Sequence, residues 1–199
     1  METAATIRKF WFGEKTDDTA TAQEQSALWW KKNPAVDAEI RLRFETWLTK
    51  ATNHELDDWS KTPEGRLALI LLTDQFPRNM YRDTPRAFAS DEQARTLCKE
   101  GIENASHASL RPIERVFFYL PLEHSEELRD QELAVRLMQE LAESAPPDQK
   151  PTFEYFSNFA IRHRDVIARF GRFPHRNAIL GRVSSQEELT FLTQPESSF

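Results

Sequence analysis

The 199-residue sequence contains one cysteine, five glycines and no long run of apolar residues. Because Cys98 is alone, an intrachain disulfide and a cysteine-based zinc cluster are excluded, and the composition is compatible with a reducing compartment. The longest apolar stretches, 67–72 and 116–122, are far too short to cross a bilayer, and the first residues lack the apolar segment of a signal peptide. We therefore expect a soluble cytoplasmic protein that does not enter a membrane.

An excess of positive charge is also absent. The net charge is −6 and the isoelectric point is about 5.5, which argues against broad binding to nucleic acid or to acidic membranes. Phosphate-loop, dinucleotide-binding, Ser-His-Asp and paired-thiol signatures are missing as well. We accordingly predict no cofactor and no nucleic-acid partner, although a local basic patch can still bind an anion.

Apolar residues at helical spacing are common, whereas the alternation typical of strands is scarce. Caps and helix-breaking residues predict helices over 4–12, after a cap at Asp37, from Pro63 to about Phe76, from Pro85 to near Gly101, from Pro112 until Pro121 kinks or stops the helix, over 126–143 after Ser125, over 152–170 before Gly171, and after Ser184 or Ser185. The clearest loop is 143–151, because its three prolines cannot all lie inside a helix. The sequence predicts an all-α fold of antiparallel helices, in one domain where 1–60 pack on a motif-bearing core of 61–199.

Two opposite charges continue the apolar stripe of 67–71. Asp74 lies on the same predicted helix face, and Arg78 follows it by four residues. A buried charge is costly unless it is paired and hydrogen-bonded. The two residues are therefore either a structural ion pair that ties this helix to a neighbour, or an anion site in which Asp74 orients Arg78.

Two histidines lie where simple packing does not require them. His163 is in the middle of the apolar face of the helix predicted over 152–170, where it is either a satisfied core residue or an acid–base group. Glu123 and His124 follow directly after Pro121. Adjacent residues do not share a helix face, so both can reach one site only if the helix is broken there.

The segment RFGRFPHRNAILGR, at 169–182, concentrates four arginines, a histidine and an asparagine. Arginine presents a fork of donors suited to carboxylate or phosphate, but it also packs on aromatic rings and pairs with internal carboxylates. Structural pairing and ligand binding are both open for this segment. We expect it to turn back after the long helix and to bring three side chains to Glu123, His124 and His163: Arg172, His175 and Arg176.

A metal site is not predicted. Glu123, His124, His163 and His175 are competent ligands, but their spacing matches no helix-borne pair such as HExxH. The neighbouring arginines would also repel a cation.

Three long motifs carry these polar residues: LALILLTDQFPRNMYRDTPRAFASD at 67–91, ERVFFYLPLEHSEELRDQ at 114–131 and RHRDVIARFGRFPHRNAILGR at 162–182. Together with FWFG at 10–13 and WW at 29–30, they resemble the bacterial domain-of-unknown-function family numbered 924. The resemblance covers nearly the whole chain, and Thr73 departs from it where an apolar residue is expected. It implies an all-helical fold similar to tetratricopeptide-like superhelices, and it implies no established activity.

We infer that the polar residues of these motifs converge on one pocket. Glu123, His124 and His163 are the candidate proton-transfer groups. The candidate ligand-binding residues are Asp74, Gln75, Arg78, Asn79, Arg172, His175, Arg176 and Asn177.

Three functions are compatible with such a pocket. Arginines can hold a small anionic molecule, which the histidines and Glu123 can turn over. A tetratricopeptide-like groove can instead hold a peptide by its carboxylate or backbone. The same polar residues can also form a purely structural network that fixes the registry of the helices. The predicted partner is thus a small anionic molecule or a peptide, and the oligomeric state is left open.

Overall fold

The computed structural model describes residues 2–195 and residue 197, and every regular element among them is helical. The α-helices are α1 (Ala4–Phe12), α2 (Asp18–Trp30), α3 (Pro34–Thr52), α4 (Pro63–Ile70), α5 (Phe76–Met80), α6 (Asp91–Glu103), α7 (Pro112–Glu123), α8 (Leu128–Ser144), α9 (Lys150–Phe170) and α10 (Gln186–Leu192). Short 3-10 helices lie at Asp57–Lys61, Pro85–Phe88, Ser106–Ser109 and Pro174–Arg176, and a π turn lies at Leu71–Gln75. The predicted all-α fold is confirmed.

Capping residues define three helix ends where the sequence predicts them. Thr62 Oγ1 accepts a hydrogen bond from the Gly65 amide at 3.1 Å at the start of α4. Gly171 follows α9 with a φ of 67°, a left-handed conformation that glycine adopts without a steric penalty. Ser185 and Glu188 form a capping box at the start of α10. The local cap chemistry therefore determines these boundaries.

Two predicted helix caps are wrong. The Oδ1 of Asn33 accepts a hydrogen bond from the Ala35 amide at 3.0 Å, so α3 begins before Asp37. Ser125 does not cap α8, which begins at Leu128. For α3, Asn33 is a second polar residue close by that caps the helix earlier. Ser125 Oγ accepts a hydrogen bond from the Glu127 amide at 3.1 Å, just before α8 begins. The helix α2 has no counterpart in the sequence prediction.

Two prolines, one predicted to kink or stop a helix and the other to open one, do not lie at the helix boundaries. Pro121 lies inside α7, two residues before that helix ends. Pro85 opens only a 3-10 turn, and α6 begins at Asp91. Proline is readily tolerated in the first turn of a helix, where the amide hydrogen has no partner within the helix, whereas Pro121 removes one backbone hydrogen bond from the last turn of α7.

The helix that begins at Pro63 does not end before Pro77 as predicted. Its backbone widens into the π turn Leu71–Gln75 and continues as α5 through the proline. In a regular α-helix the proline ring would collide with the carbonyl group of Thr73, four residues earlier. That carbonyl accepts a hydrogen bond from the Ser90 hydroxyl at 2.6 Å. The wider turn therefore carries the helix past the proline.

Buried aromatic rings join the N-terminal helices to the rest of the protein. The ring centroids of Trp11 in α1 and Trp29 in α2 lie 5.6 and 4.5 Å from that of Phe117 in α7. Phe44 of α3 stacks on Phe76 at 4.6 Å. The core thus draws on helices from both sides of residue 60, and the single-domain organisation stays a prediction.

The helices α8 and α9 pack along each other and are joined by the short connection 145–149, which makes them antiparallel. The predicted loop at 143–151 is present in this shorter form.

No helix in the described part of the chain combines the length and the apolar character that a membrane crossing requires.

Candidate functional site

A cavity of about 590 Å³ lies where the end of α7, the middle of α9 and the residues after Phe173 meet. Its aromatic lining comes mainly from α2 and α9, as Trp29, Trp30, Tyr155, Phe156 and Phe159. Eight of the eleven predicted site residues also line it: Gln75, Arg78, Asn79, Glu123, His124, His163, His175 and Arg176. The structure therefore brings most of the three polar motifs to one place.

Asp74 lies beneath this lining with a fully buried side chain. Its Oδ1 is 2.8 Å from Nδ1 of His124 and 3.2 Å from Nη1 of Arg78. Burial raises the pKa of Asp74, but the adjacent Arg78 and His124 more than offset this effect and hold it well below its usual range. Asp74 is therefore ionised and accepts, so Nδ1 of His124 carries the proton in this hydrogen bond.

Arg78 is shared between two carboxylates. Its Nη1 and Nη2 donate to the two oxygens of Asp91 at 2.8 and 3.0 Å, and Nη1 also donates to the carbonyl of Asp74 at 2.7 Å. This is the bidentate geometry that binds a guanidinium most strongly. The charge of Arg78 is thus compensated inside the protein, as the structural alternative for the pair predicts.

Glu123 and His163 make a second buried contact. Oε1 of Glu123 lies 3.1 Å from Nδ1 of His163, and both side chains are 5% exposed. Burial raises the pKa of Glu123 to about 8, and the Asp74 carboxylate adds to the increase. Burial lowers the pKa of His163 to about 3. At neutral pH the contact therefore joins a protonated carboxyl group to an uncharged imidazole, and it is not an ion pair.

The end of α7 explains how two adjacent residues reach the same cavity. Glu123 is the last residue of the helix, and His124 is the capping residue that follows it. The helix thus ends between Glu123 and His124, which is the interruption needed for both side chains to reach one site. Beyond it, the Gln131 amide donates to the Glu123 carbonyl at 2.6 Å and fixes this turn of the backbone.

Arg176 is the buried guanidinium of the cavity, with a side chain that is 8% exposed. Its Nη1 donates to the His124 carbonyl at 3.0 Å, and its Cζ lies 4.8 and 4.4 Å from the ring centroids of Phe88 and Phe173. The nearest carboxylate oxygen, on Asp91, is 3.9 Å from Nη1. Its Nε has no hydrogen-bond partner among the residues that the structure describes.

The other three arginines of 169–182 bind glutamates at closer range: Arg169 to Glu187 at 2.8 Å, Arg172 to Glu188 at 2.6 Å and Arg182 to Glu126 at 2.7 Å. Contrary to the prediction, Arg172 does not point toward Glu123, His124 and His163, because Glu188 of α10 holds it elsewhere. Asn177 is also outside the cavity lining, and its amide donates to the Ser184 hydroxyl at 3.0 Å. Within this segment, only His175 and Arg176 of the predicted residues line the cavity.

Two predicted amide residues line the cavity while bonding to acidic neighbours. The amide of Gln75 donates to Asp74 Oδ2 at 2.6 Å, and the amide of Asn79 donates to Asp37 Oδ1 at 2.9 Å. In both residues the side-chain amide nitrogen therefore already donates to a carboxylate of the protein. The described residues contain no group of three or more His, Cys, Asp or Glu side chains arranged to hold a metal ion.

Sequence reasoning missed the aromatic lining of the cavity. Trp29 and Trp30 are adjacent in the sequence, and Tyr155, Phe156 and Phe159 come from one short run on α9. Trp30 and Tyr155 are 48% and 52% exposed. Aromatic residues at helical spacing usually belong to a core, so only their unusual density indicated another role.

Comparisons with known proteins place the chain in a family. The family model described as "Bacterial protein of unknown function (DUF924)" matches residues 7–196. A solved structure of a protein of unknown function from Agrobacterium tumefaciens is 36% identical, with a TM-score of 0.80 over 95% of this chain and 96% of that one. No curated protein matches the sequence. Since the family match spans almost the entire chain, this protein belongs to the DUF924 family of bacterial proteins of unknown function.

Proposed function

We propose that the cavity binds a small organic anion and that Arg176 holds its charged group. The observation that carries this proposal is the Arg176 guanidinium, which lines the cavity and has no carboxylate oxygen closer than 3.9 Å among the described residues. Nη1 is occupied by the His124 carbonyl, and two phenylalanine rings pack against the guanidinium. Nη2 forms none of the described hydrogen bonds, so it is the donor left for an oxygen of a carboxylate or phosphate.

The charges around Arg176 support an anionic ligand. Asp74 and Asp91 both contact Arg78, and Glu123 is protonated at neutral pH. Burial, followed by the charge of Arg78, lowers the pKa of Arg176 to about 10, so the guanidinium remains charged at pH 7. A buried charge without a closely bonded counterion is unfavourable, and a bound anion would relieve this cost.

The size and lining of the cavity favour an organic molecule over an inorganic ion. Ligand pockets of roughly 300–1,000 Å³ accommodate drug-sized molecules, and this cavity measures about 590 Å³. A phosphate ion would leave most of that space unfilled. Trp30, Tyr155 and Phe159 offer apolar and ring-stacking surface to the body of the ligand. We therefore propose an aromatic carboxylate as the ligand class.

The proposal is tested by ligand-induced stabilisation. Phenylacetate, phenylpyruvate and inorganic phosphate are titrated while the melting temperature is followed, and the two phenyl carboxylates are expected to raise it. At 100 times its Kd a ligand stabilises the folded state by about 2.7 kcal/mol. Arg176→Lys keeps the positive charge but loses the planar fork, so we expect at least tenfold weaker binding.

Arg172→Lys is the matched control, because Arg172 belongs to the same segment but bonds Glu188 outside the cavity lining. It should change stability without changing affinity. If neither phenyl carboxylate stabilises the wild type, or if both lysine variants bind equally well, the anion site is rejected and the structural network is the better explanation.

A second candidate function is a tetratricopeptide-like peptide-binding module, favoured by the antiparallel pairing of α8 and α9 and by the exposed Tyr155 at the cavity. Arg176 would then bind the C-terminal carboxylate of a peptide. A short peptide with a free C-terminal phenylalanine should bind, and its amidated form should not.

We also propose that the protein acts in the cytoplasm, since its one cysteine, Cys98, is a buried free thiol.

A further inference from the structure

One histidine of the cavity is arranged as a proton acceptor. Nδ1 of His124 is bound to the buried carboxylate of Asp74 at 2.8 Å, and Asp74 is kept ionised by Arg78. An imidazole held in this way has its proton on Nδ1 and the lone pair on Nε2. Nε2 forms none of the described hydrogen bonds, and the ring lines the cavity. His124 thus presents a free base to a molecule bound there.

One carboxyl group of the cavity is arranged as a proton donor. The Glu123 side chain is 5% exposed, and the only described basic group within 4 Å of its carboxyl oxygens is the uncharged imidazole of His163. No lysine or arginine among the described residues lies within ion-pair distance of it. A carboxyl group kept neutral in this way can donate its proton, or a hydrogen bond, to an oxygen atom of a ligand.

Given the anion site proposed above, we propose that the cavity catalyses enolisation of a 2-oxo acid with an aromatic side chain. Arg176 holds the carboxylate of the substrate. His124 Nε2 removes a proton from the carbon next to the ketone, and the electron pair of that C–H bond forms the C=C bond. The C=O π bond breaks and its electron pair moves to the oxygen, which takes the proton of Glu123. The products are the enol, a protonated His124 and an ionised Glu123. The reverse step returns the ketone, so no oxidant, reductant or second substrate is consumed.

The lining of the cavity favours this reaction over acyl transfer through a covalent intermediate. No serine, threonine or cysteine is among the described residues that line it. Enolisation needs only a base, an acid and an anchor, and these are the groups present. The aromatic residues Trp30 and Phe159 suit a ring on the far end of the substrate. His124 and Glu123 are catalytic residues in this proposal, and Asp74 is a positioning residue.

The pKa values of the two groups are consistent with these roles near neutral pH. Burial and the charge of Arg78 lower the pKa of His124, so the free base predominates. Burial raises the pKa of Glu123 to about 8, so the acid is still protonated. The other charged or titratable groups around them are Asp74, Arg78, Arg176, His163 and His175. The rate should therefore fall above about pH 8.

The experiment follows exchange of the CH₂ protons of phenylpyruvate for deuterium by proton NMR in D₂O, in a buffer without phosphate. The wild type should accelerate exchange at least tenfold over buffer. His124→Gln should lower the enzymatic rate by roughly 10²–10⁴-fold, the range typical of a lost general base. Glu123→Gln should lower it and remove the fall in rate above pH 8.

His54→Gln is the matched control, because Nδ1 of His54 also contacts an aspartate, Asp57 at 3.2 Å, but the pair is exposed and does not line the cavity. Its exchange rate should equal that of the wild type. If His124→Gln does not fold, the pH profile of Glu123→Gln decides, since that variant changes the carboxyl group alone.

The outcomes separate the two proposals. If phenylpyruvate raises the melting temperature but its protons exchange no faster than in buffer, the catalytic proposal is overturned and the anion site stands. The same holds if exchange survives in folded His124→Gln. If phenylpyruvate neither binds nor exchanges while phenylacetate binds, only the substrate class and reaction fail. If no carboxylate binds, both proposals fall.

Discussion

At the scale of single residues, burial decides the chemistry of the cavity. Asp74 and Glu123 are both acidic and both buried, yet only Asp74 has an arginine beside it. The result is one ionised and one protonated carboxyl group in the same site. Environments that push the pKa values of neighbouring groups apart are typical of acid–base sites.

The stability of the protein should report the protonation of Glu123. Its pKa is about 8 in the folded protein and near 4.5 when unfolded. A raised folded pKa means that the folded state binds the proton more tightly, so this contribution is complete below pH 4.5 and is lost as the pH rises to 8. The lowered pKa of His163 has the opposite effect: it reduces the stability of the folded protein as the pH falls, but only below its ordinary pKa of 6.5. Between pH 6.5 and 8, the protonation of Glu123 therefore changes the stability of the protein and that of His163 does not.

We expect the free energy of unfolding of the wild type to fall over that range by up to about 1.4 kcal/mol per pH unit. Glu123→Gln should abolish this slope, which urea denaturation at several pH values measures. Glu103→Gln changes an exposed glutamate and should keep the slope. An unchanged slope in Glu123→Gln would mean that this carboxyl group ionises in the folded protein as it does in water.

At the scale of elements, the π turn is the unusual feature. It lies between α4 and α5 and places Asp74 and Gln75 just before a helix that contains a proline. π turns occur mostly as single turns within α-helices and often at functional sites. Here the turn leaves the Thr73 carbonyl bonded to Ser90, in the segment that precedes α6.

Ser90→Ala should destabilise the protein by about 1–3 kcal/mol, because a buried carbonyl loses its hydroxyl partner. Denaturant unfolding monitored by far-UV circular dichroism measures the loss. Ser60→Ala is the control, since the Ser60 hydroxyl donates to the Asp57 carbonyl at 2.7 Å at an exposed position. Equal effects of the two substitutions would show that the bond to Thr73 has no special importance.

At the scale of the whole molecule, aromatic contacts link the N-terminal helices to the helices that carry the site. All five tryptophans lie within residues 1–60, and Trp11 and Trp29 pack on Phe117 of α7. The hydrogen bonds from Arg111 to Asp18, the shorter at 2.6 Å, add a polar link between α2 and the start of α7. The two parts therefore share one core.

We expect residues 1–60 and 61–199 to unfold together. Tryptophan fluorescence reports only on the first part, whereas far-UV circular dichroism reports on all helices. The two signals should give the same midpoint in urea, because separating the parts would expose Phe117 and its neighbours to water. A fluorescence midpoint clearly below the dichroism midpoint would instead identify the N-terminal part as a separate unit.

Local chemistry made much of the fold predictable. Thr62, Gly171 and Ser185 act through hydrogen bonds or φ values within a few residues, so their helix ends follow from the sequence. Boundaries failed where several polar residues competed, as Asn33 did with Asp37. The polar motifs also indicated the site, because polar residues on apolar helix faces need a shared environment. For that reason eight of the eleven predicted residues line one cavity.

The sequence by itself thus determined the helical class, several helix ends and the convergence of the motifs. Only the tertiary structure decided which of the four arginines in 169–182 faces the cavity, because their glutamate partners include Glu126, 56 residues from Arg182. The same holds for the charge of Glu123, which depends on neighbours and burial supplied by other helices. Capping and periodicity act over a few residues, whereas ion pairing and desolvation depend on which distant groups the fold brings together.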